Sequence, residues 1–561
     1  MSLSKLVLSA AACAVFASVS SAQWNPAVGQ WGKVDPADLR VMTYNVQDGI
    51  CSTNAKVEGN NNWCALARVV ACFKPDVLIL EEVGDNSGNG TGSNVDSVAT
   101  LTTTINQFLH GGLDTFHANT PITAWVQKYA PSYDLPYVYV STDTDGFNRN
   151  VLLSRHPFSD LNGDGKSTQA NIPNVTATGY APGGDGGIRG FLFCEINLPD
   201  ATYTGNVVVG GAHLKSGGTT ADHNDRVAAA QNVAYAMRYW FNGNGGATPD
   251  PQAKVADSPA ATSVLAANTP IVIGGDWNED ELANGATRGP ADWLTAAQTV
   301  GGATDGTDRD GTDMTLDGAL NFFTGSDASH SSGDKYDYLG FQDSIATLRL
   351  ATIYIAGSTP GAAQPPEAVG FTGGAAGLTT AASDHRPVFV DLRLPIVDCN
   401  GNGVADTTDI ALGTVADTNA NQIPDVCECS VANECVATPN SAGAGAFMSH
   451  LGSLSISNND FVLDVLGAVP NTQGLFFYSQ TAANVPFGNG IRCVGGSITR
   501  LPVVVADLFG TASYPLNFPA LGGTGVITPG TTWRFQFWFR DAVAGGAFFD
   551  LSDALRVQFC P

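Results

Sequence analysis

At 561 residues the chain is too long for one ordinary core, so two or more domains are expected. An apolar content of 43% suits a globular fold, and 64 glycines predict many turns and short strands. The formal net charge of −26 argues against a protein that coats nucleic acid through a basic face. It leaves room for an enzyme that grips a phosphodiester through a bound cation, whose charge inverts the local electrostatics.

Lys5 precedes an apolar stretch, Leu6 to Val19, and Ser20-Ser21-Ala22 has the small residues of a cleavage site. Residues 1–22 therefore read as a signal peptide, and the protein as secreted. No later run is long and apolar enough to span a membrane. From about Asp38 to Leu394, buried strand-like runs alternate with helical stretches such as Trp63 to Phe73 and Asp222 to Phe241, a pattern of layered α/β structure. The loops Gly84 to Val95, Asp160 to Gly187 and Gly301 to Asp334 are long enough to be functional or insertional.

The apolar runs matter for what ends them. Val41 to Asn45 closes on Asn45, and Val77 to Glu82 closes on two acids. Val207 to His213 ends in His213, Ile271 to Asn278 ends in Asp276-Trp277-Asn278, and Asp337 sits between Tyr336 and Tyr338. Ser383-Asp384-His385-Arg386-Pro387 completes the set. Polar groups at strand ends gather on the rim of a sheet, where a site can form.

Each type has a chemistry. Glu82, read as a strand terminus, suits Mg2+, which wants one or two carboxylates and keeps several waters. Asn45 adds a neutral oxygen or orients Glu82. Asp276 and Asn278, two apart in an extended segment, point the same way and can hold a water and a phosphate oxygen, unless the pair forms an Asx turn. Gly274 and Gly275 let the backbone approach a ligand. His213 and His385 can divide the work of base and acid, with Asp337 fixing one imidazole.

As an ordered set, TYN at 43–45, EE at 81–82, HLKS at 213–216, GDWN at 275–278, YDY at 336–338 and SDH at 383–385 resembles the endonuclease/exonuclease/phosphatase superfamily, and Arg149 to Pro157 resembles its middle strand. The resemblance implies a four-layer α/β sandwich over 38–395. It implies that Glu82 is the principal Mg2+ (or Mn2+) ligand with Asn45 beside it, and that Asp276 and Asn278 position water and phosphate. His385, oriented by Asp337, is then the base or a phosphate-polarising group; His213 is the partner acid, and Asp384 completes the metal or phosphate end. Arg189 and Asn150 are candidate substrate contacts, and Glu81 departs from the family's usual Gln.

Composition shifts at Pro395. Asp398, Asn400, Asn402, Asp406 and Asp409 fall at positions 1, 3, 5, 9 and 12 of a calcium loop, with Gly403 at 6. Asp417, Asn419, Asn421, Asp425 and Glu428 repeat the spacing nineteen residues on, with Gln422 at the glycine position. The pair resembles thrombospondin type 3 or dockerin-like repeats, implying a Ca2+-braced linker over 398–429; Asp160 to Thr168 is a weaker third loop. Over 450–561, the runs Phe461 to Leu466, Leu475 to Tyr478, Leu501 to Leu508 and Trp533 to Phe539 predict a C-terminal all-β sandwich. Ten cysteines outlast removal of the signal, and disulfides are expected, with Cys51–Cys64 and Cys493–Cys560 the favoured pairs.

The function expected is a secreted, metal-dependent phosphodiesterase acting on DNA or RNA. Hydrolysis of a phospholipid or a sugar or inositol phosphate, and a non-catalytic calcium-stabilised adhesion protein, are the alternatives. The sequence leaves the partner of the C-terminal domain and the oligomeric state open.

Overall fold

The structure, a computed structural model, describes residues 24–52, 56–85, 95–115, 118–123, 125–142, 144, 146–159, 169–172, 191–230, 265–284, 287, 289–295, 314–418 and 420–560. Residues 1–22, read above as a signal peptide, and residues 160–168, Arg189 and Asn419 lie outside them. The chain divides into two compact units, Met1–Ile396 and Val397–Pro561.

The first unit holds two six-stranded sheets. One runs Thr347–Ile353, Val388–Arg393, Leu39–Asn45, Val77–Glu81, Val151–Ser154, Tyr137–Val140 in spatial order. The other runs Met314–Leu316, Asp337–Gln342, Ile271–Asp276, Val207–Ala212, Phe191–Ile196, Gln169–Ile172. Leu39–Asn45 pairs in parallel with Val77–Glu81, and Val207–Ala212 with Ile271–Asp276; the other pairings within the two sheets are antiparallel.

Strands buried on both faces need apolar residues at both parities. Leu39, Val41, Val77, Ile79, Val207, Val209, Val272 and Leu339 form the layer between the sheets. Met42, Tyr44, Leu78 and Leu80 face outward, against helices that include Asn62–Phe73 and Val98–His110. On the far side Phe191, Phe193, Val208 and Ile273 pack with Ala229 and Ala230, in the helical stretch 220–230. Helix, sheet, sheet and helix make the four layers expected.

Parity then places the polar residues. Counting by twos from the inter-sheet valines and leucines reaches Asn45, Glu81, His213, Asp276 and Asp337, so all five share the parity that faces the opposite sheet. The glycines before Asp276 serve the same approach rather than a ligand. A Cβ on Gly275, at φ +142°, would sit 1.8 Å from the carbonyl oxygen of Ala212 on the neighbouring strand. One on Gly274 would strike Leu339 and Ile79.

The second unit is a β-sandwich. A five-stranded sheet (Ser430–Glu434, Phe549–Gln558, Thr532–Arg540, Gln473–Ser479, Thr499–Val505) packs through Phe476, Tyr478, Phe535 and Phe537 on a three-stranded sheet of Phe447–Leu451, Val462–Leu466 and Ala512–Pro515. The sandwich thus begins at Ser430, before the expected 450, because that strand pairs with Phe549–Gln558. The disulfides are Cys399–Cys427, Cys429–Cys560 and Cys435–Cys493. Neither favoured pair forms. The Cys64 thiol, buried in the first unit, meets the Tyr129 hydroxyl at 3.4 Å, while Cys493 and Cys560 pair with Cys435 and Cys429, which flank the strand Ser430–Glu434.

The two loops at the start of this unit repeat one another in their bonds. At position 1, Asp398 accepts from the amides of Asn402 and Gly403, and Asp417 from those of Asn421 and Gln422. At position 9, Asp406 accepts from the amide of Cys399 and Asp425 from that of Thr418. At position 5, Asn402 donates to Asp409 (2.7 Å) and Asn421 to Glu428 (2.8 Å), each at position 12. Position 6 is left-handed in both, with φ +82° at Gly403 and +69° at Gln422.

Candidate functional site

At one end of the two sheets the polar strand ends meet around a single oxygen, Oδ2 of Asp276. Asn45 Nδ2 donates to it at 2.9 Å, His213 Nε2 lies 3.3 Å away and His385 Nε2 3.6 Å away. The register explains the meeting. Asp276 is paired across the sheet with Asp337, Asn45 with Glu81, and Val388, three residues after His385, with Thr43. Backbone bonds lock the ends: Leu214 N to Asp276 O (2.9 Å), Trp277 N to Tyr336 O (2.8 Å) and Val46 N to Glu81 O (2.9 Å).

The second ring nitrogen of His385, Nδ1, is 2.8 Å from Asp337 Oδ2. Burial works against the charged imidazole, but the carboxylates of Asp337 and then Asp276 outweigh it and push the His385 pKa up to about 10. Asp276 is pushed up to about 6, chiefly by its own burial, opposed by the cation of His385 and aided by repulsion from Asp337. Ser329 Oγ accepts the amides of Tyr336 and Asp337 (2.9 Å each), and Ser383 Oγ bonds Asn45 O (2.8 Å) and receives the amide of His385 (3.1 Å). Two buried serines thus position the Asp337–His385 pair.

Three placements expected from sequence change. The strand ends at Glu81, not Glu82. Glu81 is fully buried, with Oε1 accepting from Thr43 (2.9 Å) and Oε2 unpartnered; burial first, then repulsion from Asp337, holds its pKa well above the usual range. Glu82 follows at φ +50°, a quarter exposed, and swings its carboxylate to 3.7 Å from His213 Nε2. A left-handed glutamate costs about 1–2 kcal/mol, the kind of local strain that collects at functional sites.

Asn45 orients Asp276 rather than Glu82, while its Oδ1 accepts the amide of Gln47 (3.1 Å). Asp276 and Asn278 do not point together. Asn278 is left-handed (φ +55°), its amide nitrogen returns to Asp276 Oδ1 (2.9 Å) in an Asx turn, and its side chain donates to Leu214 O (3.1 Å).

Asp384 stands at the outer edge, 39% exposed, with Oδ2 3.5 Å from His330 Nε2. His330 was not foreseen. It comes from a loop, not a strand end, and its ring lies 4.6 Å from that of His385 through a backbone bridge between the two residues. Also unforeseen is Glu279, bonded to His223 and to Arg226 (2.6 Å each). Arg226 in turn donates to Lys215 O and Gly217 O, so the segment after His213 is tied to the one after Asp276. Asn150 is buried.

The donor set suits a hard divalent cation. Asp276, Asp337 and His385 present ligand atoms within 4.8 Å of one another, as do His330, Asp384 and His385. Asp337 Oδ1 is a buried carboxylate oxygen without a hydrogen-bond partner, which a cation would offset.

No family model matches the chain, and no curated protein matches it. Among solved structures, it is similar to an endonuclease/exonuclease/phosphatase from Beutenbergia cavernae, with 15% identity over 92% of this chain and 99% of that one and a TM-score of 0.35. It is also similar to the human Nocturnin catalytic domain, with 12% identity over 64% and 95% of the two chains and a TM-score of 0.34. A mannosyl-6-phosphatase from Bacteroides thetaiotaomicron gives 12% identity over 64% and 100%, with a TM-score of 0.34.

Proposed function

We propose that the first unit is a divalent-metal-dependent phosphoester hydrolase that cleaves phosphodiester bonds of DNA or RNA outside the cell. The observation that carries this reading is the convergence of Asn45, His213 and His385 on one buried carboxylate oxygen of Asp276, with the Glu82 carboxylate alongside.

Asp276, with a pKa near 6 and its Oδ2 fixed by three neighbours, is the group that takes a proton from the attacking water. The water oxygen forms a bond to phosphorus as the bond from phosphorus to the leaving oxygen breaks. His385, held cationic between two carboxylates, faces the phosphate oxygens and balances the charge that builds on them. His213, 3.3 Å from Asp276 Oδ2, is the group that gives a proton to the leaving oxygen. Glu82, with Asp384 at the outer edge, would hold Mg2+ or Mn2+. When bound, such an ion acts as a Lewis acid on the phosphoryl oxygens.

In the second unit, Asp398, Asn400, Asn402, Asp406 and Asp409 would hold one Ca2+, and Asp417, Asn421, Asp425 and Glu428 with Asn419 a second. The repeated bonding of the two loops supports this. The disulfides Cys399–Cys427, Cys429–Cys560 and Cys435–Cys493 support an oxidising, extracellular setting. Among the described residues no helix is long and apolar enough to cross a membrane.

The test is hydrolysis of plasmid DNA, RNA and sphingomyelin by the purified protein with Mg2+, Mn2+ or chelator, beside His385→Ala. Metal-dependent cleavage of nucleic acid that the variant loses is expected. Cleavage of lipid alone would retain the chemistry and replace the substrate. No cleavage of any would remove the reading.

A further inference from the structure

The five-stranded sheet of the second unit carries an apolar patch on its outer face, where a solvated sheet face is usually polar. Its register sets Val503, Leu475, Trp538 and Leu551 in one cross-strand row. Arg500, Phe477 and Gln536 form the next. The hairpin Ala482–Phe487 and Gly490–Val494 folds over part of this face. Gln536 holds it by donating to Ile491 O (2.7 Å) and accepting the amide of Cys493 (2.8 Å), and the Cys435–Cys493 disulfide fastens it.

Between hairpin and sheet remains a cavity of about 290 Å³, room for about ten water-sized groups. Its lining is Leu, Ile, Phe and Trp side chains and two guanidiniums, Arg492 and Arg500; it contains no hydroxyl, amide or carboxylate side chain.

Charge singles the pocket out. From Asp398 onward the chain carries thirteen acids, five arginines and no lysine, a net charge of −8. Arg534 and Arg556 share one carboxylate, that of Glu434. Among the described residues no ion pair engages Arg492, Arg500 or Arg540, and these three stand at this face. Arg492 lies over the Phe487 ring at 5.7 Å with its Nε buried and unpartnered, and Arg540 lies over Trp538 at 5.8 Å. Unopposed cations in so acidic a unit, gathered where the sheet is apolar, form a site complementary to an anion with an apolar body.

We propose that this pocket binds an amphipathic anion, an acyl chain or ring of about ten non-hydrogen atoms carrying one carboxylate or phosphate. A sugar fits poorly, because its hydroxyls would meet apolar walls and lose their hydrogen bonds. A bare inorganic anion would leave the walls unfilled. The site is independent of the catalytic reading of the first unit.

The test is calorimetric titration of the full chain with octanoate, 1-octanol and glucuronate. Octanoate is expected to bind saturably at one site, and octanol, the same chain without the charge, about tenfold or more weaker. Arg492→Gln/Arg500→Gln should weaken octanoate about tenfold, with thermal stability and phosphodiester hydrolysis unchanged. Arg500→Gln alone, at an exposed position, should weaken it about threefold. Absent binding at millimolar octanoate, equal binding of octanol, unchanged affinity in the double variant, or tighter binding of glucuronate each overturns the proposal. So does sedimentation with phosphatidylglycerol vesicles in the absence of octanoate binding, which would make the face a membrane contact instead.

Discussion

Asp337 Oδ2 sits 2.8 Å from one nitrogen of His385, while the other nitrogen faces Asp276 Oδ2 at 3.6 Å. One imidazole therefore spans two buried acids that come from neighbouring strands of the second sheet. Removing the imidazole removes the cation that both acids share. His385→Ala should lower the hydrolysis rate by about 10²–10⁴, and Asp337→Asn by about 10–100, since it leaves the ring in place but loosens its charge and orientation. Rates under saturating Mg2+, with circular dichroism as the folding control, check both. An Asp337→Asn enzyme of full activity would remove Asp337 from the site.

The same pair predicts how the chelated protein responds to pH. The folded-state pKa of His385 is raised from 6.5 to about 10. Its stabilising contribution is thus complete below pH 6.5 and lost as pH rises through 10. Asp276 has the same sign in a lower window, from 3.8 to about 6. In EDTA, the melting temperature of the first unit should fall by a few degrees between pH 7 and 10, and His385→Gln should flatten that slope. An equal slope in the variant would show that other groups carry it.

Strand ends were legible because strands buried on both faces are nearly unbroken apolar runs, so any polar terminus stands out. That logic found Asn45, His213, Asp276, Asp337 and His385, which the structure brings together. It failed where the chain leaves the strand. The strand pattern carries Glu82 on as extended and leaves Asn278 between extended and an Asx turn; both are left-handed, and the turn redirects each side chain. His330 could not be found by strand pattern, since its place depends on a loop bridging to His385. Disulfide pairing was illegible for a similar reason: Cys429 and Cys560 are 131 residues apart and meet only once Ser430–Glu434 pairs with the last strand.

Glu81 and Glu82 are neighbours in sequence with opposite fates, and exchanging each for Gln separates them. Glu82→Gln should cost about 10²-fold or more in rate and weaken Mn2+ binding measured by calorimetry. Glu81→Gln keeps the acceptor for Thr43 and removes a carboxylate that is fully buried beside Asp337. It should stabilise the chelated protein by about 1–3 kcal/mol, with the rate within about tenfold of the parent. Thermal melts and Mn2+ titrations of the two variants decide the matter. A Glu81→Gln protein that lost its metal site would mean that the two acids act as one.

The two calcium-type loops differ at one backbone position. Gly403 and Gln422 both adopt positive φ, +82° and +69°, but only glycine does so without a Cβ penalty. Gln422 is exposed, and it is its backbone amide that bonds Asp417, so substitution with glycine removes strain without removing that contact. Part of the gain is returned as conformational freedom in the unfolded chain. Gln422→Gly should therefore stabilise the loop by about 0.5–1 kcal/mol and raise Ca2+ affinity of the second site about two- to fivefold. Gly403→Gln should do the reverse at the first. Calcium titration of the full chain, resolving a stronger and a weaker site, tests the pair. Affinities that stay put in both variants would show that the left-handed turn at position 6 does not limit binding.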